Sequence, residues 1–407
     1  MKQLWKHLLS AALLPCLLAG CAAPEPPAES GGSGDHLLGL TQEQRLEDYD
    51  CLVQTLADSY LCMGVRDRDN PGDLSADIFQ EYRELIRESD SDEMFYSAVY
   101  SALFRLGTYG HLQIVEPDAY RAYCAAYGDG GIPDRAHWRE VLTDPVTVRG
   151  YEKLQALLDT YGDTESTGDP AGTETPAADL HTLILPGGDV GYVKIDRFPA
   201  EHEAAYEADR AALWDFYRQA ADCTDLIIDL TDNSGGSEVY WQQLLAAPLT
   251  DRPLSCTHYA LLADSANNRP YIQDAFSPEE LHPISELPDL PELERDGIQA
   301  ATHFVESTLS VEPAAERAPF RGRIWVLVGP AVYSASESFA VFCQETGFAT
   351  LVGSPTGGDG IGALDPVFLQ LPNSGILVQF TMMFGLNSGG SSSEEAGTTP
   401  DILSPAG

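Results

Sequence analysis

Basic residues are scarce in this 407-residue chain: 23 lysines and arginines stand against 63 aspartates and glutamates, a formal net charge of -40. Such a surface repels phosphate backbones and anionic lipid, which excludes an electrostatic hold on nucleic acid or on a membrane face. No Cys-x-x-Cys pair occurs. Cys51, Cys62, Cys124, Cys223, Cys256 and Cys343 are irregularly spaced, so no metal centre and no cofactor is expected. Past the N-terminus there is no run of eighteen apolar residues, hence no membrane-spanning helix to expect, and no internal repeat. Lysine is absent after Lys194. What remains is an ordinary 43% hydrophobic fraction and a solvated acidic surface, with enough chain for two or three domains.

The first residues read as a targeting signal. Lys2 and Lys6 precede an apolar stretch, Leu8–Leu18, too short to span a bilayer. Leu18-Ala19-Gly20-Cys21 resembles a bacterial lipoprotein signal-peptidase site, with an ordinary secretory signal as the alternative. That resemblance implies that residues 1–20 are removed and that Cys21 carries lipid. Residues 21–35, rich in Pro, Gly and Ser, would form a tether, and the protein would sit on the outer face of a bacterial cell membrane. An exported location permits disulfides, with Cys51–Cys62 the most local candidate. Cys343 lies on an apolar helix face and reads as a buried free thiol.

Residues 36–114 carry helical periodicity. Leu46, Tyr49, Leu52, Val53 and Leu56 share one side of a first helix. Asp90-x-x-Glu93 suggests a cap for another helix through Phe95, Val99, Leu103 and Leu106. Residues 115–180 form a variable insertion that ends in a low-complexity acidic run. From 181 to 407 strands and helices alternate. A hairpin turns at Pro186-Gly-Gly-Asp, a helix spans Glu201–Ala221, Leu226–Leu230 is a buried strand, and Val367–Leu371 pairs with Ile376–Met382. This predicts an α/β core behind a helical N-terminal domain.

Arg323–Gly353 is the centre of that core. Ile324–Val328 reads as a strand broken by Gly329-Pro330, and Ser334 opens a helix that Gly347 closes. A hydroxyl there meets the first free N–H groups of the helix, which favour developing negative charge. It is a place for an acyl-transfer nucleophile. Ser334-x-x-Glu337 also fits a capping box, in which the hydroxyl does no chemistry.

Four segments carry a family resemblance. Asp229-Leu-Thr-Asp-Asn233-Ser-Gly235-Gly236, Ser334-Ala-Ser-Glu337, Leu351-Val-Gly-Ser-Pro-Thr-Gly-Gly358 and Glu394-Glu-Ala-Gly-Thr-Thr-Pro400-Asp401 occur in the order found in tail-specific (C-terminal-processing) serine peptidases. The resemblance implies a crotonase-like (ClpP/crotonase) α/β core with a helical cap, and Ser334 as nucleophile. Many members pair the serine with a lysine further along the chain. In that register stands Asp359, a poor substitute base, so a Ser–Lys dyad is excluded. The tricorn-like branch uses Ser, His and Glu instead. By resemblance to it, His111 would be the general base, and Glu394, or its neighbour Glu395, the acidic member. An oxyanion hole would combine the Ala335 amide with the Gly235-Gly236 turn. The stretch between His111 and Gly191 holds no carboxylate-binding loop of the PDZ kind, so no complete PDZ domain is expected. The expected function is hydrolysis of extended or unfolded polypeptides without metal or cofactor. The alternative is a catalytically silent relative that binds peptide at the cell surface.

Overall fold

The computed structural model describes residues 38–107, 109–128, 131–161, 179–294, 298–361 and 365–404. The signal, Cys21, the tether and most of the low-complexity run lie outside them.

Six strands form the main sheet, in the spatial order Ile402–Leu403, Thr350–Gly353, Arg323–Val328, Asp225–Asp229, Val190–Ile195 and Leu180–Ile184. All neighbouring pairs are parallel except the last, a hairpin that joins Leu180–Ile184 antiparallel to Val190–Ile195. Helix Ala204–Gln219 connects two of the parallel strands and helix Ala335–Thr346 connects two others. Side chains such as Leu226, Ile228, Val326 and Val328 are buried between the sheet and its helices, with Phe339 and Phe342 of the second helix among their partners. These four strand residues share one face of the sheet, while Ile227, Trp325 and Leu327 on the other face are only half-buried.

A second core lies beside the first. A four-stranded antiparallel sheet has Leu254–Leu262 and His303–Val311 at its centre, flanked by Met383–Leu386 and His282–Pro283. A three-stranded sheet pairs Gln113–Ile114 with Leu377–Phe380, and that strand with Val367–Gln370. The helices Gln42–Ser59, Cys62–Asp69, Ser75–Glu88 and Asp92–Leu106 pack on these strands, with Leu52, Leu56 and Leu103 in one apolar cluster with Leu261, Val378 and Phe380. Three more helices, Pro117–Tyr127, Ala136–Thr143 and Pro145–Tyr161, fill the chain between His111 and the hairpin.

Polar clamps fix the same junction. Buried Asp48 accepts from the Asn373 N–H at 2.7 Å and the Ser374 N–H at 2.8 Å, which holds the first helix to a hairpin turn near the other end of the chain. Two local expectations need correction. Ser91, not Asp90, caps the Asp92–Leu106 helix, its hydroxyl accepting from Met94 N–H at 3.2 Å. Cys51 and Cys62 are both free thiols: Cys51 is partly exposed on one helix, while Cys62 is buried where the next begins, against Gly110. Cys343 is a buried free thiol, as its place on the helix predicts.

Candidate active site

Three neighbouring parallel strands end at the same edge of the main sheet. After Asp225–Asp229 comes the Asn233–Gly236 turn, after Arg323–Val328 comes Ser334, and after Thr350–Gly353 comes Asp359. The edge beyond the carboxyl ends of parallel strands is where open α/β sheets collect their ligands.

Ser334 sits there at φ 57°, ψ -123°, a conformation that an L residue adopts only under constraint. The constraints are visible. Its N–H donates to Gly358 O at 3.1 Å, and its carbonyl accepts the first helical bond, from Ser338 N–H at 2.9 Å. The hydroxyl makes no capping bond. Glu337 does not reach back either; its Oε1 accepts from Thr398 Oγ1 at 2.7 Å, and burial pushes its carboxyl up to about 7. The capping-box reading therefore fails. Ser336 ties the turn instead, accepting from Tyr333 N–H at 3.0 Å and donating to Asn233 O at 2.6 Å.

The glycine turn presses against this serine. A Cβ on Gly235, at φ 111°, would stand 3.1 Å from Ser334 Cβ and 3.0 Å from Ala335 N. Only glycine allows that approach. The Gly235 N–H donates to Asn233 Oδ1 at 2.8 Å, so Asn233 shapes the turn. Gly236 bridges in parallel fashion to Phe198, whose backbone bonds the residues on either side of it, at 2.8 Å each. The amide of Gly236 itself therefore points away from Phe198.

His111 arrives from the helical region. Gly107 ends the Asp92–Leu106 helix, a short turn follows, and Gln113–Ile114 then joins the three-stranded sheet. Gly110 O accepts from Thr381 N–H at 2.7 Å, and a Cβ on Gly110 would lie 2.5 Å from Thr381 Cγ2, which fixes the turn closely. The imidazole stands edge-on to Tyr333, the residue before the serine, with ring centroids 5.4 Å apart. Its Nε2 contacts the buried Asp359 carboxylate.

Asp359 in turn meets Glu394. Burial pushes Asp359 up, but the charge of His111 and hydrogen bonds from Glu394, His111 and Tyr333 outweigh it and hold the carboxyl below its usual range. Glu394 goes the other way. Burial, then the Asp359 charge, raise it well above the ordinary range, although Gly110 N–H donates to its Oε2 at 3.0 Å. Two acids in contact cannot both ionise without strong repulsion, so the pair keeps one proton, carried by Glu394. Glu395 turns away and pairs with Arg68.

The geometry thus gathers Ser334, Ala335, Gly235, Gly236, His111 and Glu394; Glu395 lines the same cleft but pairs with Arg68 rather than with Asp359. It adds Asp359, which the sequence locates but which we read there only as a failed replacement for a basic lysine. Backbone conformation marks the same place. Four non-glycine residues have positive φ among the described residues, and three of them are His111, Ser334 and Asp359. Such outliers concentrate at functional sites.

One family profile falls on this core. The profile of peptidase family S41 matches residues 189–404, and the chain belongs to that family, one of serine peptidases. Its fold is similar to a crystal structure from Parabacteroides merdae ATCC 43184, with TM-score 0.53 and 17% identity over 88% of this chain and 89% of that one. It is also similar to mature CPAF solved with lactacystin, with TM-score 0.52 and 14% identity over 89% and 94%. No curated protein matches the sequence.

Proposed function

We propose that this protein is an active serine endopeptidase working through an acyl-enzyme on Ser334, with His111 as general base and Asp359 as the acid that orients it. The observation that carries this reading is the contact of His111 Nε2 with buried Asp359, beside a strained serine whose hydroxyl is not used as a cap. With Nε2 turned to the carboxylate, Nδ1 is the nitrogen that takes the Ser334 proton.

Ser334 Oγ attacks the scissile carbonyl while its proton passes to the imidazole. The oxyanion is met by the Ala335 and Gly236 amides. The imidazolium then protonates the departing amine, leaving an ester on Ser334, and a water activated by His111 hydrolyses that ester and restores the serine. Glu394, protonated, stands behind Asp359 and against the Gly110 amide. It supports the orienting acid rather than touching substrate. The substrate is extended or unfolded polypeptide, and lipid on Cys21 holds the enzyme at the outer face of a bacterial membrane.

The test is fluorophosphonate labelling of intact cells that express the full chain, followed by detergent phase separation. Wild type should be labelled at Ser334 and enter the detergent phase, and Cys21→Ser should move the label to the aqueous phase. Ser334→Ala should abolish labelling, while His111→Ala and Asp359→Asn should slow it by roughly a thousandfold or more. Asp359→Asn reacting at the wild-type rate would remove Asp359 from the mechanism. An unlabelled wild type would leave the peptide-binding reading, which the missing lysine favours.

A further inference from the structure

Away from the catalytic edge, three chemically different side chains converge at one point. Cys256 and His258, two residues apart, share a face of the Leu254–Leu262 strand, and both are buried. Glu345 reaches them from the last turn of the Ala335–Thr346 helix. Their ligand atoms all lie within 4.8 Å of one another, with His258 Nε2 2.8 Å from Glu345 Oε2. The carboxylate is aimed from behind: its Oε1 accepts from Ser388 N–H at 3.0 Å and from Ser388 Oγ at 2.6 Å, which leaves Oε2 to face the imidazole.

We propose that Cys256, His258 and Glu345 form a site for a divalent transition-metal ion of the zinc class. A thiolate, an imidazole and a carboxylate are the donor types such an ion takes, and three protein ligands leave a fourth position for solvent. Zinc bond lengths put neighbouring tetrahedral ligands about 3.3–3.7 Å apart. The His258–Glu345 spacing, 2.8 Å, is tighter than that, so entry of the ion opens this pair. A histidine–glutamate clip would join strand to helix without a thiol. A thiol within reach of both partners, and a carboxylate already held by Ser388, make a ligand set with its own outer support. The two anionic ligands also match a dication in charge. Spacing rules for zinc motifs do not find this cluster, because His258 and Glu345 are 87 residues apart in sequence. Glu345 is also eleven residues along the helix from Ser334, about 16 Å at the helical rise, so the ion would not touch the reaction. It would staple the far end of the catalytic helix to the antiparallel sheet, and by binding only the folded chain it would stabilise it.

The test is anaerobic titration of the full-length protein with Co2+ as a spectroscopic stand-in for zinc. One equivalent should give a saturable thiolate-to-cobalt charge-transfer band, displaced by Zn2+, in wild type and in the Cys124→Ser control. Cys256→Ser should lose the band, Glu345→Gln should weaken cobalt binding roughly tenfold or more, and Zn2+ should raise the thermal midpoint of wild type by more than that of either variant. Absence of a saturable band, its survival in Cys256→Ser, or an unmoved wild-type midpoint would each overturn the proposal. Should Cys256→Ser fail to fold, unchanged cobalt affinity in Glu345→Gln overturns it alone.

Discussion

Two carboxyl groups in contact, one against an imidazole and one against a backbone amide, divide a single proton between them. Asp359 faces His111 and is held toward its ionised form; Glu394 faces Asp359 and holds its proton more tightly. The linkage sign follows. A carboxyl raised on folding holds its proton more tightly in the native state. Its contribution is therefore fully present below the unfolded value, near 4.5, and is lost as pH climbs through the folded value. Glu394→Gln keeps an acceptor for Gly110 N–H and puts a permanent donor toward Asp359. Its thermal midpoint should match wild type near pH 5 and exceed it increasingly above neutrality, the gap growing by up to about 1.4 kcal/mol per pH unit inside the titration window. Melting curves at pH 5 and pH 8 check this, and a gap that does not change with pH would refute the shared proton. In the sequence, Glu394 is picked out by its register within a family pattern, and the structure places it against Asp359. The contact of Asp359 with His111 is not legible there, because it depends on which partner the fold brings to it, and His111 lies in a different part of the chain.

The strand–turn–helix unit Arg323–Thr346 was legible as secondary structure: an apolar β-branched run, a Gly-Pro break and a helical period are local signals. The conformation of Ser334 was not. Its backbone angles are imposed by Gly358 on one side and by the helix start on the other, neither of which the Ser-x-x-Glu spacing reports. The same spacing serves a cap or a nucleophile, and the choice lies in the turn. Alanine at 334 would keep the positive-φ strain while glycine would release it. Strain of about 1–3 kcal/mol, less the greater freedom of glycine in the unfolded chain, leaves Ser334→Gly more stable than Ser334→Ala by about 1 kcal/mol. Urea unfolding of the two inactive variants measures the difference. Ser334→Gly less stable than Ser334→Ala, by the about 0.5–1 kcal/mol that glycine's freedom costs, would mean that the turn holds Ser334 without strain.

On the scale of the whole molecule, the sequence shows which faces are apolar but not what buries them. It divides readily into a helical stretch before 114 and an alternating stretch after 181, and the family profile covers residues 189–404. The hydrophobic clusters divide the chain differently. One belongs to the parallel sheet and its helices; the other joins the N-terminal helices to the strands at 260–263, 304–305, 367–369 and 377–386. Gln113–Ile114 is an edge strand of a sheet whose other members, Val367–Gln370 and Leu377–Phe380, come near the end of the chain, and Asp48 clamps the turn of that same sheet. Residues 181–407 expressed alone would expose Leu261, Leu377, Val378 and Phe380 to water and would lack His111. Each such side chain is worth about 1.5–3 kcal/mol of burial, and a few of them together rival the net stability of a domain. The fragment should therefore show no cooperative thermal transition by circular dichroism and should not react with a fluorophosphonate. A cooperative melt from this fragment would mean that the second core closes without the N-terminal helices, and that those helices serve the protein chiefly by delivering the histidine.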